Sequence, residues 1–334
     1  MFPLNKDNNT YIIAEIGNNH EGDLILAKKL IKLAASCGCN AVKFQSIKPE
    51  LLVGEKNIKR LDQLKRFELT NENYEELKRV SEEEKIDFLS TPFDLDYVDF
   101  LDKLVPAYKV SSGDLTYFQL LEKISLKFKP IILSTGMSTI PEIKSTINFI
   151  QKTWDQNFKK NNTIYILHCV SAYPTSADYA NLNALKDLSR LGFPIGYSDH
   201  TIGTEAAVIA VSMGARIIEK HFTISKTHSE FRDHQLSADP KEMKKLVSKI
   251  RRAETLIGNK SKIPMKIEKD SLKSMRRSIF TKSPLKKGEI LTEDKLICLR
   301  PGEGISPSKI YDLIGKRIKH DLEANEIIKE TDIF

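Results

Sequence analysis

The sequence predicts an eight-stranded β/α barrel followed by a small C-terminal domain. From residue 10 to about 256, short β-rich runs alternate with amphipathic stretches, a pattern typical of parallel strands joined by right-handed crossovers. Eight such units favour a closed barrel, because the glycine-rich turn that usually follows the first strand of an open nucleotide-binding sheet is absent. The length of 334 residues accommodates a barrel of about 250 residues and an appended domain.

The predicted strands are short, rich in Val, Ile, Leu or Phe, and followed by polar turns. They are Tyr11–Ile16, Ala41–Ser46, Asp87–Thr91, Ala107–Ser111, Pro130–Thr135, Ile164–Val170, Pro194–Ser198 and Ala215–His221. The helical stretches between them place apolar residues on one face, as Leu24, Ala27 and Leu30 do in the first. These stretches are Asp23–Ser36, Asn73–Glu84, Asp96–Lys103, Tyr117–Lys127, Ile140–Lys152, Asn183–Arg190, Glu205–Met213 and Pro240–Leu256.

Composition divides the chain into three segments. The barrel is expected over residues 1–258, a basic segment with Pro264 is interpreted as a linker over 259–277, and residues 278–334 carry short β-like pieces between turn signals. A core of about 60 residues is marginal alone. We therefore expect the C-terminal domain to dock on the barrel or on a partner chain.

Composition also narrows the function classes. With 40% hydrophobic and 29% charged residues, disorder is not expected. No apolar run reaches the roughly 18 residues of a membrane span, and no signal peptide is visible, so a cytoplasmic protein is predicted. The net charge of +7 comes from scattered lysines mixed with glutamates, which does not indicate a nucleic-acid partner. The cysteines, interpreted as reduced structural thiols, are Cys37, Cys39, Cys169 and Cys298.

Polar residues gather at the C-terminal ends of the predicted strands, which converge on the face of a barrel where active sites lie. Hydroxyl side chains there are also ordinary strand caps, but the lysine of AVKFQ and the charges of ARIIEKHF are costly inside a barrel unless paired or used. The polar strand-end residues are Glu15, Asn18, Asn19, His20, Lys43, Gln45, Thr91, Ser111, Ser112, Asp114, Ser134, Thr135, His168, Ser171, Tyr173, Ser198, Asp199, His200, Glu219 and His221.

A metal site is predicted at two of these strand ends. His200 and His221 come from neighbouring strands and suit one divalent ion such as Mn, Fe, Co or Zn. Each histidine alone is as consistent with a structural role, and the pair favours ligation. Asp233 and His234, in FRDH, either complete this site or belong to a charged loop.

An anion site is predicted beside it. Lys43, Ser112 and Ser134 supply a cation and hydroxyl donors for a phosphate, and the SSGD turn lets backbone amides help. His20 either contributes to the site or positions the first loop. The bulky residues expected in the core rather than against a substrate are Phe44, Phe93 and Met137.

Eight stretches of the barrel form a specific set of motifs. They are AEIGNNHEGD (14–23), AVKFQS (41–46), FLSTPFD (88–94), YKVSSGD (108–114), IILSTGM (131–137), LHCVSAYPT (167–175), GYSDHTIG (196–203) and IIEKHFT (217–223). Together they resemble the sialic acid synthase family. Residues 278–307 are similar to the antifreeze-like domain of those enzymes. The resemblance therefore covers nearly the whole chain.

The resemblance implies a domain-swapped homodimer that condenses phosphoenolpyruvate with the open-chain aldehyde of an N-acylated hexosamine. It implies a divalent cofactor at His200 and His221, usually Mn²⁺, with Mg²⁺ or Co²⁺ as alternatives. Arg300, in LRPG, matches a residue that reaches the partner's sugar site. The residues that match the family's phosphoenolpyruvate site are Lys43, Thr91, Lys109, Ser112, Ser134 and Tyr173. Those that match residues handling the sugar and the metal-bound water are Glu15, Glu219 and Asp233. We also assign two other strand-end residues, Gln45 and Asp199, to substrate binding.

Three departures from the family pattern fall around the expected sugar pocket. Asp114 replaces a glutamate, Ser171 replaces an Asn or Thr, and EFRDH replaces Gly-Pro-Asp-His. They favour a diacetamido sugar derived from bacillosamine, or another 6-deoxy hexose, over plain N-acetylmannosamine. The alternatives are a metal-dependent pyruvate aldolase and a non-catalytic carbohydrate- or ice-binding protein.

Overall fold

The computed structural model describes residues 9–156, 163–258 and 261–334. The chain divides into two compact units, residues 1–258 and 259–334. The first contains all eight predicted strands, with ends that shift by at most two residues. The strands are β1 (Tyr11–Gly17), β2 (Ala41–Ser46), β3 (Asp87–Pro92), β4 (Tyr108–Val110), β5 (Ile131–Ser134), β6 (Ile164–Cys169), β7 (Ile195–Asp199) and β8 (Ile217–His221).

These strands form the near-closed parallel barrel that the alternating pattern predicted. The hydrogen-bonded order is β3-β2-β1-β8-β7-β6-β5-β4, and the two end strands contact each other. The register places Glu15 beside both Lys43 and His221, and Ser198 beside Glu219. Charged residues far apart in sequence are thus neighbours at one end of the barrel.

Helices surround the strands, and several begin at residues suited to capping. The side chain of Asp23 accepts hydrogen bonds from the amides of Ile25 and Leu26, and Asp239 caps a helix that starts with Pro240. The helices of this unit are α1 (Leu24–Ser36), α2 (Pro49–Leu52), α3 (Ile58–Phe67), α4 (Asn71–Glu83), α5 (Leu95–Leu101), α6 (Phe118–Ser125), α7 (Ile140–Gln156), α8 (Ala184–Ser189), α9 (Glu205–Ser212), α10 (Arg232–Leu236) and α11 (Pro240–Ile257).

Sequence patterning missed α2, α3 and α10. The first and last have only four and five residues, too few for a helical period to show.

Within the described residues, no helix combines the length and apolarity needed to cross a bilayer.

Alternation along the strands builds two layers inside the barrel. Inward side chains recur every second residue. The lower, apolar layer is formed by Tyr11, Ile13, Ala41, Leu89, Ala107, Ile132, Tyr165, Leu167 and Ile217. Two residues further along β1, β2 and β8 come Glu15, Lys43 and Glu219, all buried. The apolar layer therefore supports a charged layer at the C-terminal end.

The second unit has its own small core and a two-stranded antiparallel sheet, β9 (Ser278–Thr281) with β10 (Leu296–Leu299). The helix α12 (Lys269–Met275) lies in the segment where a linker was expected, and α13 spans Ile310–Leu313. The amide of Gly302 donates to the carbonyl of Lys273 at 2.7 Å. The segment after residue 260 is therefore part of this unit rather than an extended arm.

Candidate active site

A cavity of about 400 Å³ opens at the C-terminal end of the barrel strands. Most of the residues predicted for the site line it. These are Glu15, Lys43, Gln45, Thr91, Lys109, Ser112, Ser134, Ser171, Tyr173, His200, Glu219, His221 and Asp233. Twelve of these thirteen lie on strands or in the turns that follow them, as expected, and Asp233 reaches the cavity from a helix, α10.

A buried ion pair between neighbouring strands forms one side of the cavity floor. Lys43 Nζ lies 2.7 Å from Glu15 Oε2 and 3.7 Å from Glu219 Oε2. Burial lowers the pKa of Lys43, but the two carboxylates outweigh it, so the pKa is raised and the ammonium is kept charged. Burial raises the pKa of Glu15, and Glu219 adds to this while Lys43 opposes it. Glu15 is therefore the more basic carboxylate of the pair.

A second lysine faces the first across Glu219. Lys109 Nζ lies 3.9 Å from Glu219 Oε1, and Ser198 Oγ donates to that same oxygen at 2.8 Å. Burial alone would raise the pKa of Glu219, but Lys109, Lys43 and the Ser198 hydrogen bond lower it to about 2. Burial lowers the pKa of Lys109. Glu219 is thus a fixed negative charge between two cations.

Hydroxyl groups on the neighbouring strands accept hydrogen bonds from the two lysines. Lys43 Nζ donates to Thr91 Oγ1 at 3.1 Å, and Lys109 Nζ donates to Ser134 Oγ at 2.7 Å. The amide of Gly136 donates to Ser112 Oγ at 2.9 Å. Cations, hydroxyls and an amide in one wall are the groups that satisfy phosphate oxygens.

Gly136 has no room for a side chain. A Cβ atom built there would lie 2.5 Å from Ser171 Oγ and 2.9 Å from Ser112 Oγ. Because real Cβ atoms do not come so close, any larger residue must displace these hydroxyls. The glycine of STGM thus allows the hydroxyl-bearing loops to approach each other.

The two histidines predicted to bind a metal ion lie at the ends of β7 and β8. In the strand order these are across the barrel from β3 and β4. The rings of His200 and His221 have centroids 5.5 Å apart. His200 Nδ1 is 2.7 Å from the carbonyl of Val170, so this nitrogen donates and Nε2 keeps a lone pair. His221 Nδ1 is buried without a hydrogen bond to any described group. Burial lowers the pKa of His221, which favours the neutral, ligating ring. The residues present therefore fit a divalent cation.

Family models match both units of the chain. The NeuB family model matches residues 30–262 and the SAF domain model matches residues 276–333. The chain belongs to the NeuB family. Residues 276–333 form its SAF domain, the antifreeze-like domain that the sequence resemblance predicted.

Relatives of this family include named synthases. The N,N'-diacetyllegionaminic acid synthase of Campylobacter jejuni is 39% identical over 96% of this chain and 99% of its own length. The human N-acetylneuraminate-9-phosphate synthase is 34% identical over 96% of this chain and 91% of its own. A crystal structure of the N-acetylneuraminic acid synthetase from Leptospira borgpetersenii, in complex with citrate, has a TM-score of 0.74 at 37% identity, covering 79% and 90% of the two chains.

Three residues predicted for the NeuB site lie elsewhere. Asp199 points to the outer face of β7, where its carboxylate is 2.7 Å from Lys220 Nζ, because alternation sends its neighbours Ser198 and His200 inward. Asp114 accepts a hydrogen bond from Ser111 Oγ at 2.5 Å and stands behind this cavity-lining serine. Asp199 is therefore a structural ion-pair partner, and Asp114 positions Ser111. Arg300 is exposed in the SAF unit, and its predicted role stays a prediction.

Other cavity residues were not in the predicted set. Phe93 and Met137 line the cavity, whereas only Phe44 of the three expected core residues is in the core. Met137 is 75% exposed, with its backbone in the left-handed region at φ 62°. Cys169, expected to be purely structural, also lines the cavity. The remaining additions are Arg60 and Gly113, whereas Asn18, Ser111 and Ser198 line the cavity as expected of polar strand-end residues.

The missed residues differ in the signal that could have found them. Gly113 belongs to the SSGD turn, whose backbone amides were expected to help bind an anion. Arg60 lies on α3, a helix that the sequence did not reveal, so no strand-end rule could find it. All four cysteines lie in the described part of the chain and are free, in line with the reduced state expected for them.

Proposed function

We propose that this NeuB-family protein condenses phosphoenolpyruvate with the open-chain aldehyde of an N-acylated hexosamine, forming a nine-carbon 2-keto-3-deoxy acid and phosphate. The observation that carries the proposal is the pair of buried lysines, Lys43 and Lys109, each bonded to a hydroxyl at the cavity floor. Glu15 and Glu219 balance these lysines, whose ammonium groups together with the hydroxyls offer several donors to a ligand with several negative charges. Phosphoenolpyruvate, with a phosphate and a carboxylate, has them.

The reaction joins carbon 3 of phosphoenolpyruvate to the aldehyde carbon, and the aldehyde oxygen takes a proton to become a hydroxyl. Carbon 2 becomes electron-deficient, adds water, and then breaks its bond to the phosphate oxygen, leaving a ketone. Glu15, whose pKa burial raises, is placed to accept the proton of that water. Lys43, Lys109 and the floor hydroxyls stabilise the phosphate and carboxylate charges throughout.

The divalent cation belongs to the proposal as a cofactor held by His200 and His221. Mn²⁺ is the ion we expect, with Mg²⁺ and Co²⁺ as alternatives. When bound, such an ion acts as a Lewis acid on the aldehyde oxygen. Tyr173, whose ring centroid lies 4.1 Å from that of His200, packs against the pair and orients it.

The proposed acceptor is a diacetamido-trideoxyhexose rather than N-acetylmannosamine. Phe93 and Met137 give the cavity apolar surface that suits a methyl group at carbon 6 or on an acetamide better than a hydroxyl. The short Asp114 side chain is engaged by Ser111. Of the two named synthases compared above, the N,N'-diacetyllegionaminic acid synthase has the higher identity to this chain, which supports the same choice of sugar.

Phosphate release with a panel of sugars tests the proposal. The purified protein with Mn²⁺ and phosphoenolpyruvate should release phosphate fastest with the diacetamido-trideoxyhexose and more slowly with N-acetylmannosamine. When pyruvate replaces phosphoenolpyruvate, no nine-carbon keto acid should form. Release only with N-acetylmannosamine would refute the sugar assignment. Condensation of pyruvate with a sugar, without release of phosphate, would favour the aldolase. Carbohydrate binding without any turnover would favour a binding protein.

The proposal extends to a domain-swapped homodimer in the cytoplasm, in which Arg300 reaches the partner's sugar site. It rests on the family resemblance of LRPG and on the small size of the SAF core. Mixing Arg300→Ala chains with Lys43→Met chains tests it. Activity of the mixture above that of either variant alone supports a shared site, and no gain argues against it.

A further inference from the structure

A second set of metal-binding side chains lies outside the cavity lining. Glu21, in the loop after β1, meets His228 and His234 from the segment after β8. One donor atom of each residue lies within 4.8 Å of the others, and none of the three lines the cavity. Two imidazoles and one carboxylate form a donor set that zinc-type ions use with water in the fourth position.

Hydrogen bonds around His234 determine which of its nitrogens faces the cluster. His234 Nδ1 lies 2.6 Å from Thr223 Oγ1, and this hydroxyl donates to the carbonyl of Ser225 at 3.0 Å. When the hydroxyl proton goes to Ser225, His234 Nδ1 donates to Thr223 and Nε2 keeps a lone pair. His234 Nε2 lies 2.9 Å from Glu21 Oε1. Either a proton on Nε2 or a metal ion beside both atoms satisfies this pair.

The surroundings offer further ligands to a metal ion at His234 Nε2. The carboxylate oxygen of Glu21 is the nearest, at 2.9 Å. A third donor is at hand, because the ring of His228 has its centroid 5.1 Å from that of His234. His228 is exposed on its loop, so its side chain can rotate the remaining distance at little cost.

The backbone of Glu21 also points to a specific requirement. Its φ of 49° lies in the left-handed region, which is unfavourable for a residue other than glycine. The following residue is Gly22, for which this region is free. Non-glycine residues held in such a conformation cluster at binding sites, where the surroundings enforce it. Here the conformation accompanies a carboxylate held beside His234.

We propose that Glu21, His228 and His234 bind a zinc-type divalent cation that ties the loop after β1 to the segment after β8. The carboxylate of Glu21 and the exposed ring of His228 close around the buried Nε2 of His234. Asp233, the neighbour of His234, lines the active cavity. The ion therefore fixes the segment that carries Asp233, and its presence or absence controls the order of one cavity wall. This inference does not depend on the proposed reaction.

Metal titration in a variant without the cavity histidines tests the site by itself. The full chain with His200→Gln and His221→Gln should bind one Zn²⁺ per chain, and Co²⁺ in its place should give the intense visible absorption of a tetrahedral site. Adding His228→Gln should abolish both signals. Hydrogen exchange of residues 224–231 should slow on Zn²⁺ addition only where His228 is present.

His320→Gln is the matched control, because this histidine is also exposed and lies in the SAF unit. It should leave zinc binding unchanged. In the otherwise unaltered chain, His228→Gln should lower the Zn²⁺ stoichiometry by one, a check that holds even if loss of the cavity histidines harms folding. Unchanged stoichiometry after His228→Gln, or no Zn²⁺ bound at micromolar free metal in the chain lacking the cavity histidines, overturns the proposal. A catalytically inactive chain that still shows the His228-dependent ion would refute only the proposed reaction.

Discussion

The floor and the rim of the active cavity are built from different parts of the barrel. The floor consists of strand residues such as Lys43, Lys109 and Glu219, which are buried and paired with one another. The rim consists of loop and helix residues such as Arg60 and Met137. Strand geometry fixes where a floor residue points, whereas a rim residue depends on its own loop. We therefore expect the floor to serve the chemistry common to the family and the rim to select the proposed sugar.

Replacing a floor cation should have the largest effect. Lys43→Met leaves Glu15 and Glu219 without their common partner, so we expect a loss of about 3–5 kcal/mol in the free energy of unfolding. Turnover should fall by at least about 10²–10³, because the cation also stabilises charge in the reaction. Urea denaturation and phosphate release measure the two effects.

Lys48→Met provides the matched control, since Lys48 forms an exposed pair with Asp96 at 2.7 Å. Exposed pairs contribute about 0–1 kcal/mol, so its stability and turnover should stay close to those of the parent. If the two substitutions lowered stability and turnover equally, the buried ion pairs of Lys43 would contribute no more than an exposed pair at the surface.

The charge on Glu219 should give the floor a pH signature. Its folded pKa of about 2 lies below the ordinary value of 4.5, so the stability it contributes is present above 4.5 and lost as the pH falls toward 2. The gap in unfolding free energy between the parent and Glu219→Gln should be constant from neutral pH to about 4.5 and narrow below it. Urea denaturation across this range measures the gap. A gap that widens as the pH falls would show that Glu219 is protonated in the folded protein.

Filling the space at Gly136 should affect binding more than folding. Gly136→Ala must displace the hydroxyls of Ser112 and Ser171, so we expect the KM for phosphoenolpyruvate to rise about tenfold, or about 1.4 kcal/mol. Gly54→Ala is the control, because nothing lies within 4 Å of a Cβ built there. Initial-rate kinetics distinguish the two, and an unchanged KM in Gly136→Ala would exclude these hydroxyls from the anion site.

The smallest effect is expected at the sugar end. Asp114→Glu lengthens the side chain by one methylene, which shifts Ser111 rather than the floor. We expect the ratio of kcat/KM for N-acetylmannosamine over the diacetamido sugar to rise by about tenfold, the lower end of the effect of one methylene group. Competition between the two sugars measures this ratio, and a loss of activity with both would assign Asp114 to the floor instead.

The sequence was informative where a periodic rule applies. Alternation within AVKFQ and IIEKH sends Lys43, Glu219 and His221 inward, and parallel pairing brings their strands to one end of the barrel. The same rule explains the error at Asp199, because a residue between two inward neighbours must face outward. The error came from treating every polar strand-end residue as a cavity residue.

Periodicity carries no information about the loops. Met137 lines the cavity because its loop holds it in a left-handed conformation, which no hydrophobic pattern reveals. Arg60 depends on a helix inserted between β2 and α4, and Cys169 was assigned by residue type without regard to the inward side of β6. Loop conformation is set by tertiary contacts, so Met137 and Arg60 required the structure. Cys169 did not, because alternation with Tyr165 and Leu167 along β6 places it inward.

The masses of both products formed in water enriched in heavy oxygen test the central claim most directly. The reaction would contain the protein, Mn²⁺, phosphoenolpyruvate and the diacetamido-trideoxyhexose. Water addition at carbon 2 predicts a nine-carbon keto acid together with phosphate that carries no heavy oxygen, because the phosphate keeps its original bridging oxygen. Labelled phosphate with unreacted sugar would mean that the protein only hydrolyses phosphoenolpyruvate, and it would contradict the condensation.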